Sequence, residues 1–171
     1  MLETAEAERQ ARGRRLCTIA ASRRSQIILY AIAALLSLIG LADAIYLTVE
    51  HLTGETASCV VTAGCAEVLG SKYATIGKVP LALLGALAYF TAFSLATLAA
   101  FGYRRTAIFL MLLIQAMFAV TLWLLLVQAS VLHAFCDYCL LSAVLTCLLT
   151  GTVFAAHFLL PRDLEANGVS T

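Results

Sequence analysis

Charge is scarce in this chain of 171 residues: Lys, Arg, Asp and Glu make up 12% of it, about half the share of an ordinary soluble domain. That deficit, with 62% apolar residues and a mean hydropathy of +0.94, excludes a water-soluble globule. Proline is nearly missing, at two residues, and the ten glycines follow no repeat, which excludes collagen-like and low-complexity chains. The formal net charge is only +1 and no basic stripe occurs, so nothing points to nucleic acid or to an acidic partner. Against this background the six cysteines stand out as the carriers of chemistry.

A helix needs about 20 consecutive apolar residues to cross a hydrocarbon core roughly 30 Å thick. Four runs meet that length, over about 27–49, 79–101, 106–130 and 138–160. Lipid offers no water to satisfy peptide groups, so each run is expected to be helical. The fold class predicted is all-α, a four-helix transmembrane bundle (27–160) with a cysteine-bearing outer loop from Glu50 to Lys78. A basic N-terminal arm (1–26) precedes it and a tail (161–171) follows.

Basic residues near span ends set orientation. Arg9, Arg12, Arg14, Arg15, Arg23, Arg24, Arg104, Arg105 and Arg162 fall on one side of a four-span chain, and only Lys72 and Lys78 on the other. Both termini are therefore expected in the cytoplasm, with the Glu50 to Lys78 loop and the His133 to Asp137 turn outside. A competing reading makes Ile27 to Leu41 a secretory signal cleaved at Ala42-Asp43-Ala44, and Arg23-Arg24 hints at a twin-arginine leader. The apolar run resumes at once in Ile45-Tyr46-Leu47, which favours a retained span. Asp43 is an intramembrane acid, a functional candidate by default. Lying within two turns of the outer end, it is read as solvated at the interface.

Four cysteines converge outside on this topology: Cys59 and Cys65 in the loop, Cys136 and Cys139 at the start of the fourth span. Cys17 lies in the cytoplasmic arm, and Cys147, two turns deeper, reads as a small packing residue. The outer face is oxidising, so thiols there tend to pair. Cys136-Asp137-Tyr138-Cys139 opens a helix with both sulfurs on one face. Near that helix N-terminus the Cys136 thiolate is favoured, with Asp137 acting against it. Cys59 to Cys65 is a second close pair, with Gly64 allowing a turn. Closing so short a loop gains little entropy, which suits exchange better than bracing.

Other uses of this set remain open. Four cysteines can form a zinc site, and two pairs can be inert structural disulfides in a tetraspan protein. Covalent haem requires His after the second cysteine, where Leu140 stands. His51, His133 and His157 are scattered and read as interfacial or packed rather than as metal ligands.

Taken together, the loop pair, the Phe135-Cys136-x-x-Cys139 opening, Cys65-Ala66-Glu67-Val68-Leu69-Gly70-Ser71 and Val79-Pro80-Leu81-Ala82-Leu83-Leu84-Gly85 resemble the bacterial branch of the vitamin K epoxide reductase family. The resemblance covers about Ile27 to Leu160. The other four-span disulfide-forming family, DsbB, has its two pairs in the opposite order. The resemblance implies a quinone-linked thiol oxidase, with ubiquinone or menaquinone as acceptor, that restores the disulfide of a thioredoxin-like (DsbA-type) partner. It implies that Cys59 receives the electrons, Cys65 relays them, Cys136 accepts them and Cys139 faces the quinone. Ser71 matches a serine that the family keeps near the site. Ala143 stands where vertebrate members carry a tyrosine that contacts vitamin K, which speaks against epoxide reduction. The chain runs about ten residues past Pro161, so the partner, fused at the C-terminus in some bacterial members, is expected as a separate protein.

Overall fold

The computed structural model describes residues 2–53, 65–71, 74–76 and 79–159; of residues 2–22, 66, 76, 104, 158 and 159 only the backbone is described. Five α-helices are present among them: α1 (Leu2–Thr53), α2 (Cys65–Leu69), α3 (Leu81–Ala100), α4 (Arg104–Val127) and α5 (Asp137–Phe154). Two π-turns, Gln128–Leu132 and Ala155–Leu159, extend α4 and α5. Four stretches are long and apolar enough to cross a membrane: Arg23–Thr53, Leu81–Ala100, Arg105–Leu132 and Asp137–His157. The protein is an all-α membrane bundle. Its first helix is unbroken from the arm into the span, and α4, the third span, reaches Leu132 through the π-turn.

Small residues decide how the helices meet. Association in lipid depends on close backbone approach rather than on a hydrophobic gain. Ala33, Ser37, Gly40 and Ala44 are buried along one stripe of α1, and Ala86, Ala92, Ala96 and Ala99 along α3. These two helices form the largest interface of the bundle, with α5 against α1 and α4, and α4 also against α3. Gly40 is required by that approach: a Cβ there would lie 2.4 Å from the Tyr89 ring. Buried hydroxyls are satisfied within their own helices, Ser37 donating to the Ala33 carbonyl at 2.8 Å and Thr48 to that of Ala44 at 2.7 Å. Leu35, Phe109, Leu112 and Leu126 point outward, as lipid-facing side chains should.

Of the segment between α1 and α3, the described residues 65–71, 74–76 and 79–80 lie at one end of the bundle. Within it, α2 is followed by a two-stranded antiparallel hairpin, β1 (Thr75–Ile76) with β2 (Val79–Pro80), in the register Thr75 to Pro80 and Ile76 to Val79. Pro80 then caps the start of α3 in extended conformation, a position where its missing N–H costs nothing. At the same end, α4 passes through its π-turn into His133, which is left-handed at φ 46° and ψ 28°. The extended Cys136 then caps α5. This break re-aims the chain so that the opening of α5 faces α2.

Candidate functional site

Cys65 is the first residue of α2 and Cys136 the N-cap of α5, and their sulfurs lie 3.7 Å apart. Both are sealed, at 1% and 0% exposure, in a small cluster with Val68, flanked by Leu132, Ala134, Tyr138 and Cys139. Cys65 is held in a disulfide, whereas Cys136 and Cys139 are free thiols. Cys59, the expected partner of Cys65, lies outside the described residues, as does the side chain of Cys17.

The Cys136 thiol is lowered to about 7. A side-chain hydrogen bond from Cys139 is the largest cause; burial opposes it, the backbone N–H groups of Cys139 and Tyr138 add to it, and the Asp137 carboxylate opposes it. The exposed amides of the helix start act as the sequence suggests, but the neighbouring thiol contributes more. Near neutral pH about half of Cys136 is therefore thiolate, the form that attacks disulfides. Leu140 N–H donates to the Cys136 carbonyl at 3.0 Å, tying the cap to the first turn.

Cys139 stands one turn deeper in the wall of a cavity of about 440 Å³ between the helices. Leu84, Ala88, Leu113, Met117 and Leu125 make that wall mostly apolar, and Asp43, Ser71, Gln128, Tyr138 and Ser142 add polar groups. Asp43 thus faces the cavity, half-exposed, on the same stripe of α1 as Leu47 and His51. Ser71 lies on the cavity wall and donates to the Val68 carbonyl at 2.8 Å. Its hydroxyl therefore fixes the end of α2 as well as lining the site. Tyr89 is buried opposite, its hydroxyl 2.9 Å from Ser142 Oγ and 3.1 Å from Thr146 Oγ1, which joins α3 to α5 below Cys139.

Three residues at the site carry no motif in the sequence: Gln128, Tyr89 and Tyr138. Gln128 is 3% exposed and accepts the Cys136 N–H at 3.3 Å. Tyr138 stacks at a tilt on Tyr46 of α1, ring centroids 5.2 Å apart. Cys147, expected to pack in the bundle, is instead exposed on the outside of α5. Eight residues separate it from Cys139, so at about 100° per residue it has turned well away from the cysteine face. Ala143 is buried at 6% exposure, so no side chain larger than a methyl enters from that position.

A disulfide-bonded sulfur lies against a free thiol, with a second thiol opening on a mostly apolar cavity, in a membrane bundle, an arrangement suited to redox chemistry. A comparison with known protein families matches the Vitamin K epoxide reductase family over residues 31–154, most of the chain. The chain belongs to that family and is a membrane oxidoreductase.

Proposed function

We propose that the protein is a quinone-dependent thiol oxidase that regenerates the disulfide of a thioredoxin-like partner. The 3.7 Å approach of Cys65 to Cys136, with Cys139 on the cavity side, is the observation that carries this reading. Inert bracing disulfides would not need a free, acidified thiol against a closed disulfide, nor would a zinc scaffold.

The chemistry follows from thiolate attack through mixed disulfides. A partner thiolate attacks Cys59 in the Cys59–Cys65 disulfide, and the partner's second thiol closes its own disulfide, leaving both loop cysteines reduced. The Cys65 thiolate then attacks Cys136 of an oxidised helical pair, forming a Cys65–Cys136 bond and releasing Cys139. Cys59 attacks Cys65, restores the loop disulfide and leaves Cys136 and Cys139 reduced. That last state corresponds to the one described, with Cys65 bonded and both helical thiols free.

A bound quinone supplies an acceptor for two electrons and two protons, so that partner dithiol and quinone become partner disulfide and quinol. The cavity fits such a group: its volume lies within the roughly 300–1,000 Å³ of small-molecule sites, its walls are apolar, and Cys139 opens into it. Ser71 and Tyr138 offer hydroxyls there. We place both termini in the cytoplasm and the four cysteines outside the cell membrane, from the nine-to-two split of basic residues.

The test is reconstitution of the purified protein in lipid with a reduced thioredoxin-like protein and ubiquinone or menaquinone. Quinone-dependent oxidation of the partner is expected, and it should vanish in Cys136→Ala and in Cys139→Ala. Normal turnover in Cys139→Ala, or none in the unmodified protein with either quinone, would refute the reading.

A further inference from the structure

Gln128 is a carboxamide placed at the end of a long apolar span. Burying such a group without partners costs several kcal/mol in an apolar medium, so its partners reveal what it is there for. It lies at the junction of α4 and the π-turn, eight residues before Cys136 and across the chain break. Its Oε1 accepts the Cys136 N–H at 3.3 Å, and its other end hydrogen-bonds the Cys139 side chain. Cys136, the N-cap of α5, makes no capping bond with its own side chain. Gln128 satisfies the N–H of the cap residue itself, the part that the third helical residue plays in a capping box, here filled from the preceding helix.

We propose that Gln128 is a positioning residue for the helical cysteine pair, its single carboxamide fixing Cys136 through the backbone N–H and Cys139 through the sulfur. One planar group bonded at both ends sets the separation and orientation of the two thiols, and so aims Cys136 at Cys65. The π-turn is part of the device. Its wider turn and the left-handed His133 bring α4 back far enough for one side chain to reach both cysteines.

A consequence is that the reactivity of Cys136 depends on Gln128 although no bond joins Gln128 to its sulfur. The Cys139 hydrogen bond that lowers the Cys136 thiol requires Cys139 to stay oriented. Asp137 is the charged group acting on Cys136 itself, Asp43 of α1 acts on Cys139, and Cys65 does not titrate. None of these changes when Gln128 is replaced.

The experiment uses the full-length protein with its loop disulfide intact and Cys136 and Cys139 reduced. Thiolate ultraviolet absorbance is titrated against pH and taken as a difference from Cys136→Ser. The unmodified protein should show a midpoint of about 7. Gln128→Met, close in volume and without the carboxamide, should move it up by about a unit or more, toward its ordinary 9.0. Gln128→Asn keeps the group one methylene short, and should fall between the two. Partner oxidation by Gln128→Met should slow in kcat by about ten-fold or more, as expected when the Cys139 hydrogen bond to the charged Cys136 sulfur is lost through misorientation, with KM for the partner unchanged.

A purely structural glutamine would lower thermal stability and leave the midpoint where it was. An unchanged midpoint in Gln128→Met overturns the proposal; should that variant not fold, an unchanged midpoint in Gln128→Asn does so. The kinetic arm rests on the thiol-oxidase reading, whereas the titration does not. A shifted midpoint in a protein that oxidises no partner would therefore reject that reading and leave the role of Gln128 standing.

Discussion

Removing the second helical cysteine should trap the link between loop and helix, and the outcome depends on what replaces it. Without Cys139, the mixed disulfide formed when a Cys136 thiolate attacks the loop disulfide at Cys65 has no helical thiol to resolve it, and alkylation of the released Cys59 removes the thiol that can reverse the step. The two sulfurs must close from 3.7 Å to a bond of about 2.05 Å, a movement of about 1.7 Å that side-chain rotation and small helix shifts can supply. Cys139→Ala, however, also removes the leading cause of the low Cys136 value, which should rise from about 7 toward its ordinary 9.0. Cys139→Ser keeps a hydroxyl donor in place and should hold Cys136 near 7.

The two variants then differ in opposite ways. At pH 7 the serine variant carries roughly half its Cys136 as thiolate and the alanine variant about 1%, a ratio of about 50. A thiolate two units less basic is also a weaker nucleophile, by about eight-fold for a Brønsted slope of ~0.45. The net expectation is that Cys139→Ser forms the Cys65–Cys136 link about six times faster at pH 7. The rates should cross near ~pH 8, and by ~pH 9 Cys139→Ala should lead by about four-fold. The assay is acid quenching over time, followed by non-reducing digestion and mass spectrometry, with Cys59 released for alkylation. Equal rates at all pH values would remove Cys139 as the cause of the Cys136 acidity. A dominant Cys59–Cys136 link would reverse the roles of the loop pair, and no link at all would end the relay.

Three further outcomes are expected. In intact cells after mild reduction, a membrane-impermeant maleimide should reach Cys59 or Cys65 and not Cys17; labelling of Cys17 alone would invert the topology. The double variant Cys17→Ala, Cys147→Ala should keep quinone-dependent turnover, since Cys147 faces away from the site; its loss would mean that a cysteine outside the two pairs takes part. Gly40→Ala should lower the melting temperature of the detergent-solubilised protein, because its methyl would sit 2.4 Å from the Tyr89 ring. Overpacking of this kind costs about 1–3 kcal/mol, more than the ~1 kcal/mol that alanine gains over glycine in a helix. An unchanged or raised melting temperature would show that the α1 and α3 contact is looser than described.

The parts of this architecture that are legible in the sequence are those imposed by lipid or carried by local spacing. Four apolar runs must be helices because no other open structure satisfies its peptide groups in a bilayer. Cys136 and Cys139 announce themselves because three residues make a helical turn. What is hidden depends on contacts between helices distant in the chain. Gln128 reads as one polar residue at a span end, and only the path through His133 brings it under Cys136. Tyr89 reads as an ordinary aromatic, yet its hydroxyl links two helices separated by more than fifty residues. Cys147 misleads for a related reason: a small apolar residue on a transmembrane helix is equally at home facing lipid or facing the bundle, and hydropathy does not distinguish them.

Burial adds a selectivity that thiol chemistry alone lacks. Free thiolates in water exchange with any accessible disulfide, so a reactive Cys136 at the surface would be drained by small thiols and disulfides in solution. At 0% exposure it meets only the groups packed on it, of which Cys65 presents a sulfur from the loop side and Cys139 from the cavity side. Cys65, at 1%, is equally screened, so a soluble partner must act through a loop sulfur other than Cys65 or wait for α2 to lift. On the thiol-oxidase reading, the mostly apolar cavity beside the Cys139 sulfur would direct electrons from the dithiol toward a lipid-soluble acceptor and not toward water. An oxidase acting between an aqueous donor and a membrane-dissolved acceptor would need insulation at the middle of its relay, and the sealed Cys65–Cys136 contact would provide it on that reading.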